Sequence, residues 1–135
     1  MTNNDTLWRL NPDSSELQHP RTFIRVFVAP GELSSTVTFY ETLLQVKADM
    51  RMPYPARGLS LAAVGGFLII EGDDDALEPF RRTVGTQLVH DADVYFERLL
   101  ALGAEVVHQP IDVPVGRGFT VRHPDGTIVE YVHHR

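Results

Sequence analysis

Apolar and polar positions follow two rhythms along the chain. Thr22 to Ala29 (TFIRVFVA) is rich in β-branched and aromatic residues and predicts a strand, which Pro30-Gly31 breaks. Glu32 to Leu44 carries apolar residues at 33, 37, 40, 43 and 44, the spacing of a helix with one buried stripe. Ser34 or Ser35 is the candidate cap of a shorter version of that helix. Val46 to Met52 is a further strand candidate, and Pro53-Tyr54-Pro55 argues against regular structure there. Two apolar runs, Leu59 to Val64 and Phe67 to Glu71, flank Gly65-Gly66, which signals a hairpin.

Gly72 to Arg82 (GDDDALEPFRR) is acidic, contains a proline and reads as a linker. Its run Asp73–Asp75 lacks the alternating ligands and closing glutamate of a calcium loop, so a solvated turn is expected. The second half repeats the order of the first. Thr83 to Val89 is a short strand. Asp91 and Asp93 open a helix whose stripe is Val94 to Leu102, and Gly103 ends it. Glu105 to His108, Gly118 to Arg122 and Thr127 to Val132 are strands, the last two joined by the turn His123-Pro124-Asp125-Gly126. The pattern is a tandem repeat offset by about 60 residues, carried by element order and landmark glycines. The expected fold is α+β, with one βαβββ module over about 21–72 and a second over about 83–133, together one domain at 21–135. Residues 1–20 are polar and read as an arm outside the core, with Trp8 and Leu10 as its anchors, on this chain or on a second subunit.

Composition narrows the chemistry. The 135 residues include no cysteine, which removes disulfides, thiolate metal sites and thiol nucleophiles. Twelve basic against eighteen acidic residues give a net charge of −6, which disfavours nucleic acid and mildly favours a cationic ligand. The longest apolar run, Leu59 to Ile70, is interrupted by Gly65-Gly66 and falls short of the ~20 residues of a membrane span. The first twenty residues have no basic stretch followed by an apolar one, so no secretory signal is expected and a cytoplasmic protein is the default.

Three stretches, EL-x3-V-x-FY-x3-L at 32–44, D-x-D-x2-F-x-RLLALGAEVV at 91–107 and GRGFTVRHPDGTIVEY at 116–131, resemble the vicinal oxygen chelate superfamily. That superfamily groups glyoxalase, bleomycin resistance protein and extradiol dioxygenase. His123 stands where the family ending usually has Asp. The resemblance implies paired βαβββ modules cupping a pocket, often in a homodimer. It implies four ligand positions in the metal-dependent members, usually His, Gln or Glu, which here fall near Phe23, Ile70, Val84 and Glu130. Only Glu130 carries a suitable donor, so no metal site and no cofactor are expected.

Glu130 is the candidate catalytic or ligand-contacting residue, expected to face the pocket with Ile128 and Val132. Arg25, on the same strand face as Phe23, is its candidate counter-charge, and a buried ion pair without chemistry is the alternative. Arg117 is either a loop arginine reaching over the mouth or a solvated one. Tyr54 is either a lid aromatic or a packing plug. Phe67, Ile70, Val84, Leu88 and Phe119 are candidate pocket walls, and would equally be core if no cleft is open. The six histidines have no metal-ligand spacing. The expected function is metal-free binding or sequestration of a small molecule. The alternative is a family enzyme, a lyase, dioxygenase or isomerase, with Glu130 as base or metal ligand.

Overall fold

A computed structural model describes residues 7–135. The elements run β1 (Trp8–Arg9), β2 (Arg21–Val28), α1 (Leu33–Leu44), β3 (Met50–Tyr54), β4 (Leu59–Val64), β5 (Phe67–Glu71), α2 (Asp74–Leu77), β6 (Gly85–Leu88), α3 (Ala92–Ala101), β7 (Glu105–Val113), β8 (Gly116–Arg122) and β9 (Ile128–His134). The class is α+β, and βαβββ occurs twice, as β2-α1-β3-β4-β5 and β6-α3-β7-β8-β9. The chain divides into two compact units, one of residues up to Asn11 with Ile24–Arg81, the other of Pro12–Phe23 with Arg82–Arg135. No helix among the described residues is long and apolar enough to cross a membrane.

In the first unit the strand order is β1-β3-β4-β5-β2. β5 and β2 are parallel, the connection between them running through α1, β3 and β4, and the other pairs are antiparallel. The Gly65-Gly66 loop sets Val64 opposite Phe67. Leu33 and Val37 of α1 pack on Ala62, Val64 and Ile69, with Trp8, Val26, Val28 and Tyr40 around them.

The N-terminus of α1 has an unexpected partner. Neither serine caps it. Glu32 occupies the cap position without a side-chain capping bond, its Oε2 accepting instead from Ala29 N (3.2 Å), and Glu71 at the end of β5 accepts from Gly31 N (3.0 Å) and Leu33 N (2.9 Å) through Oε2. A carboxylate there satisfies orphaned donors and opposes the helix dipole. Glu71→Ala should lower stability by about 1–2 kcal/mol, and a urea midpoint compared with that of wild type checks this.

Two local expectations are corrected, and the arm has a defined place. Pro53 and Tyr54 belong to β3, opposite Ser60 and Leu59. The two residues of β1 cover only Met50 and Arg51, so at Pro53 the described sheet has an edge, where proline is tolerated. The acidic linker contains a short helix, α2, capped by Asp73 Oδ1 accepting from Ala76 N (2.8 Å) and anchored by Leu77 at 2 % exposure. The described part of the arm is packed onto the body of the chain. Trp8 sits against the α1 core in the first unit, while Ser14 is buried in the second. Ser14 donates through Oγ to Val89 O (2.6 Å) and accepts there from His134 N (3.0 Å). Residues 1–6 of the arm lie outside the described residues.

In the second unit the order is β6-β9-β8-β7, with β6 and β9 parallel. Asp91 caps α3, its Oδ1 accepting from Asp93 N (3.0 Å) and Val94 N (3.2 Å), as expected. Tyr95, Phe96 and Leu99 of α3 pack on Phe119, Val121, Val129 and Tyr131. In the β8–β9 turn, His123 Nε2 lies 2.7 Å from Tyr131 Oη, and burial raises the Tyr131 phenol above its usual range.

Candidate functional site

Strand alternation decides which residues can meet a ligand. In β9, Val129 and Tyr131 point into the α3 core, so Ile128, Glu130 and Val132 lie on the helix-free face. Glu130 is half-buried and sits between two threonines in the sheet: Thr86 of β6 and Thr120 of β8 are its direct partners. Directly paired side chains share a face. Thr86 Oγ1 donates to Glu130 Oε1 at 3.2 Å. Thr86 and Thr120 are 2 % and 6 % exposed. Leu88 and Val132, themselves paired and buried, form the apolar floor beside this row.

Arg25 lies on the corresponding face of the first unit. Its neighbours Val26 and Val28 pack toward α1, so Arg25 and Phe27 point away from it, beside their partners Leu68 and Ile70. Tyr54, half-buried at the end of β3, shares this face through its pairing with Leu59. Phe23 is 3 % exposed, with the Arg21 guanidinium 4.6 Å from its ring centroid.

Four wall or mouth assignments are corrected. Phe67 stacks on Tyr40 of α1 (centroids 4.3 Å apart) and belongs to the helix-packed face, because it alternates with Ile69 and not with Ile70. Phe119 is buried against α3, stacked on Tyr131 at 5.3 Å and edge-on to Phe96 at 5.1 Å. Val84 precedes β6 and is 59 % exposed; the parallel register places Thr86 beside Glu130 instead. Arg117 is in β8, on the α3 side. Its Nε donates to Asp93 Oδ1 at 3.0 Å and its Nη1 lies 3.6 Å from Asp112, which together hold the guanidinium in place and raise its pKa. Thr86 and Thr120 are the residues that sequence reasoning missed, since neither β6–β9 nor β8–β9 register is visible locally.

The superfamily's metal positions do not offer a fitting donor set. Phe23, Ile70 and Val84 present hydrocarbon, and Thr86 adds only a hydroxyl already committed to Glu130. Among the described residues no three His, Asp or Glu side chains come together as an ion would require. A cleft of about 290 Å³ in the first unit is lined by Phe27, Leu77 and Arg81 among others.

No family model matches the chain, and no curated protein matches it. Solved structures do. An uncharacterized protein from Methanosarcina mazei is 39% identical, with a TM-score of 0.79, over 88% of this chain and 95% of that one. Methylmalonyl-CoA epimerase from Mycobacterium tuberculosis is 18% identical with a TM-score of 0.57, over 92% and 93% of the two chains. A Streptomyces coelicolor methylmalonyl-CoA epimerase in complex with 2-nitronate-propionyl-CoA gives 18% and 0.57, over 84% and 96%. Two βαβββ modules with these neighbours define the fold of the vicinal oxygen chelate superfamily. Within that fold, the chain belongs to the family of the Methanosarcina mazei protein.

Proposed function

We propose that the chain is a metal-free small-molecule-binding protein that holds its ligand against the helix-free face of the second module through Glu130. The observation that carries this reading is a half-buried carboxylate, oriented by Thr86 at 3.2 Å, on a face floored by buried Leu88 and Val132. A few polar groups set on an apolar floor are the usual chemistry of a small-molecule site. The reading extends to a homodimer, the assembly that the superfamily often adopts, and to a cytoplasmic setting. Leu88, in the same unit as Glu130, is the remaining proposed ligand neighbour.

A second reading is enzymatic. Several of the fold neighbours are methylmalonyl-CoA epimerases, and a carboxylate is a group that can take a proton from a substrate. Both readings use Glu130, and the metal distinguishes them from the superfamily's metal-dependent chemistry. Thermal melts of chelator-treated protein, with and without Zn²⁺, Ni²⁺, Mn²⁺ or Fe²⁺, are expected to coincide. An ion bound only by the folded state at 100 times its Kd would add about 2.7 kcal/mol, a shift that such melts resolve. A metal-dependent rise in melting temperature that disappears in Glu130→Gln contradicts the metal-free reading.

A further inference from the structure

One side of the first unit is apolar, exposed and without charge. Phe39 and Leu43, one turn apart on the outer face of α1, are each 60 % exposed. Phe39 meets Tyr40 edge-on (centroids 5.0 Å apart), Tyr40 stacks on Phe67, and Phe67 pairs in the sheet with Ile24, which is 58 % exposed. A surface helix ordinarily turns charged residues to solvent. α3 does so with Asp93, Glu97 and Arg98. In α1 the only acidic or basic residue is Glu41, and its Oε2 accepts from Ala48 N at 2.7 Å. The polar side chains of the outer face are turned back on the helix. Ser35 Oγ donates to Glu32 O (3.1 Å), Thr38 Oγ1 to Ser34 O (3.1 Å) and Gln45 Nε2 to Thr42 O (2.7 Å). Such a face strands few polar groups when water is removed from it. A contiguous exposed patch rich in aromatic side chains marks a contact surface.

We propose that this face, centred on Phe39 and Leu43, is the contact between two copies of the chain. The proposal rests on the homodimer of the preceding reading and assigns its surface. Charge selects the occupant. Each copy carries −6, so two copies approach at least cost through a face without charge, where no residue meets its own like charge across the two-fold axis. A charged partner would give up water and find no counter-charge. The face also matches itself. Ser35, Phe39 and Leu43 form an i, i+4 ridge, with the smaller Ser34, Thr38 and Thr42 beside it. The ridge of one helix fits the groove of its copy at a crossing angle of about −50°, the common class for such ridges.

Analytical ultracentrifugation at micromolar concentration should find wild type at twice the 15.2 kDa of the chain. Phe39→Glu should weaken the dimer about thirtyfold or more, the loss expected of one interface hot spot, with an unchanged circular dichroism spectrum because the side chain is exposed. The chain has no cysteine, so Phe39→Cys introduces the sole thiol. A short bis-maleimide should join two copies of that variant and leave Leu102→Cys, at a 67 % exposed position after α3, unjoined. A dimer of wild-type affinity in Phe39→Glu, or joining of Leu102→Cys but not of Phe39→Cys, overturns this face and leaves the homodimer standing. Wild type sedimenting at 15.2 kDa overturns the face and the homodimer together. Binding of such a monomer, but not of Phe39→Glu, to phosphatidylcholine vesicles would give the face to a lipid surface instead.

Discussion

Phe119→Ala should destabilise the protein by about 3–5 kcal/mol, the range for removing a buried phenylalanine. The side chain is 2 % exposed and sits between Tyr131 and Phe96, within the cluster that includes Val89, Val121 and Val129. Truncation leaves a cavity that the sheet and α3 cannot both close, since the sheet is held by the β8–β9 ladder. Against a typical total of about 5–15 kcal/mol the loss is large. In urea the midpoint should fall with an unchanged slope. A variant of wild-type stability that has lost only ligand binding would return Phe119 to the pocket wall.

Gly116→Ala should be comparably severe. Gly116 opens β8 opposite His134 with φ +155°, a region that side chains rarely enter. An added Cβ would collide with the carbonyl oxygen of His133 and stand 2.9 Å from its carbonyl carbon. The neighbour here is ladder backbone, which cannot swing aside as a side chain does. Strain at such a conformation costs about 1–3 kcal/mol, and the collision adds to it by peeling the start of β8 from β9. Gly126→Ala is the control, because Gly126 also has a positive φ (+96°) but nothing within 4 Å of an added Cβ. Gly126→Ala should show the conformational cost alone, and equal losses at the two positions would remove the collision from the account. Unfolding curves of the two variants measure the difference.

The repeat was legible because it is written in local signals. The Gly-Gly hairpin, the Asp91 cap and the apolar stripes of α1 and α3 each depend on residues a few positions apart. What stayed hidden depends on residues far apart. The cap of α1 comes from Glu71, 38 residues beyond Leu33, and the neighbour of Glu130 comes from Thr86, 44 residues before it. No periodicity encodes either pairing. The directions of Glu130 and Arg25 were readable, because alternation within a strand fixes a face once one buried neighbour is known. The errors at Phe67 and Phe119 were avoidable by the same rule. Phe67 and Ile70 are three apart on one strand and cannot share a face, and Phe119 pairs with Tyr131, not with Glu130. The acidic stretch misled for a different reason. Its proline falls in the turn after α2, where it no longer interrupts the helix that Asp73 begins.

Chemical-shift mapping of chelator-treated protein with a panel of small polar probes tests most directly whether a ligand sits on the Glu130 face without a metal. The account predicts that the largest shifts appear at Thr86, Thr120, Glu130 and Val132 with no divalent ion present. Shifts confined to the cleft around Phe27, Leu77 and Arg81, or shifts that appear only once a divalent ion is added, would contradict it.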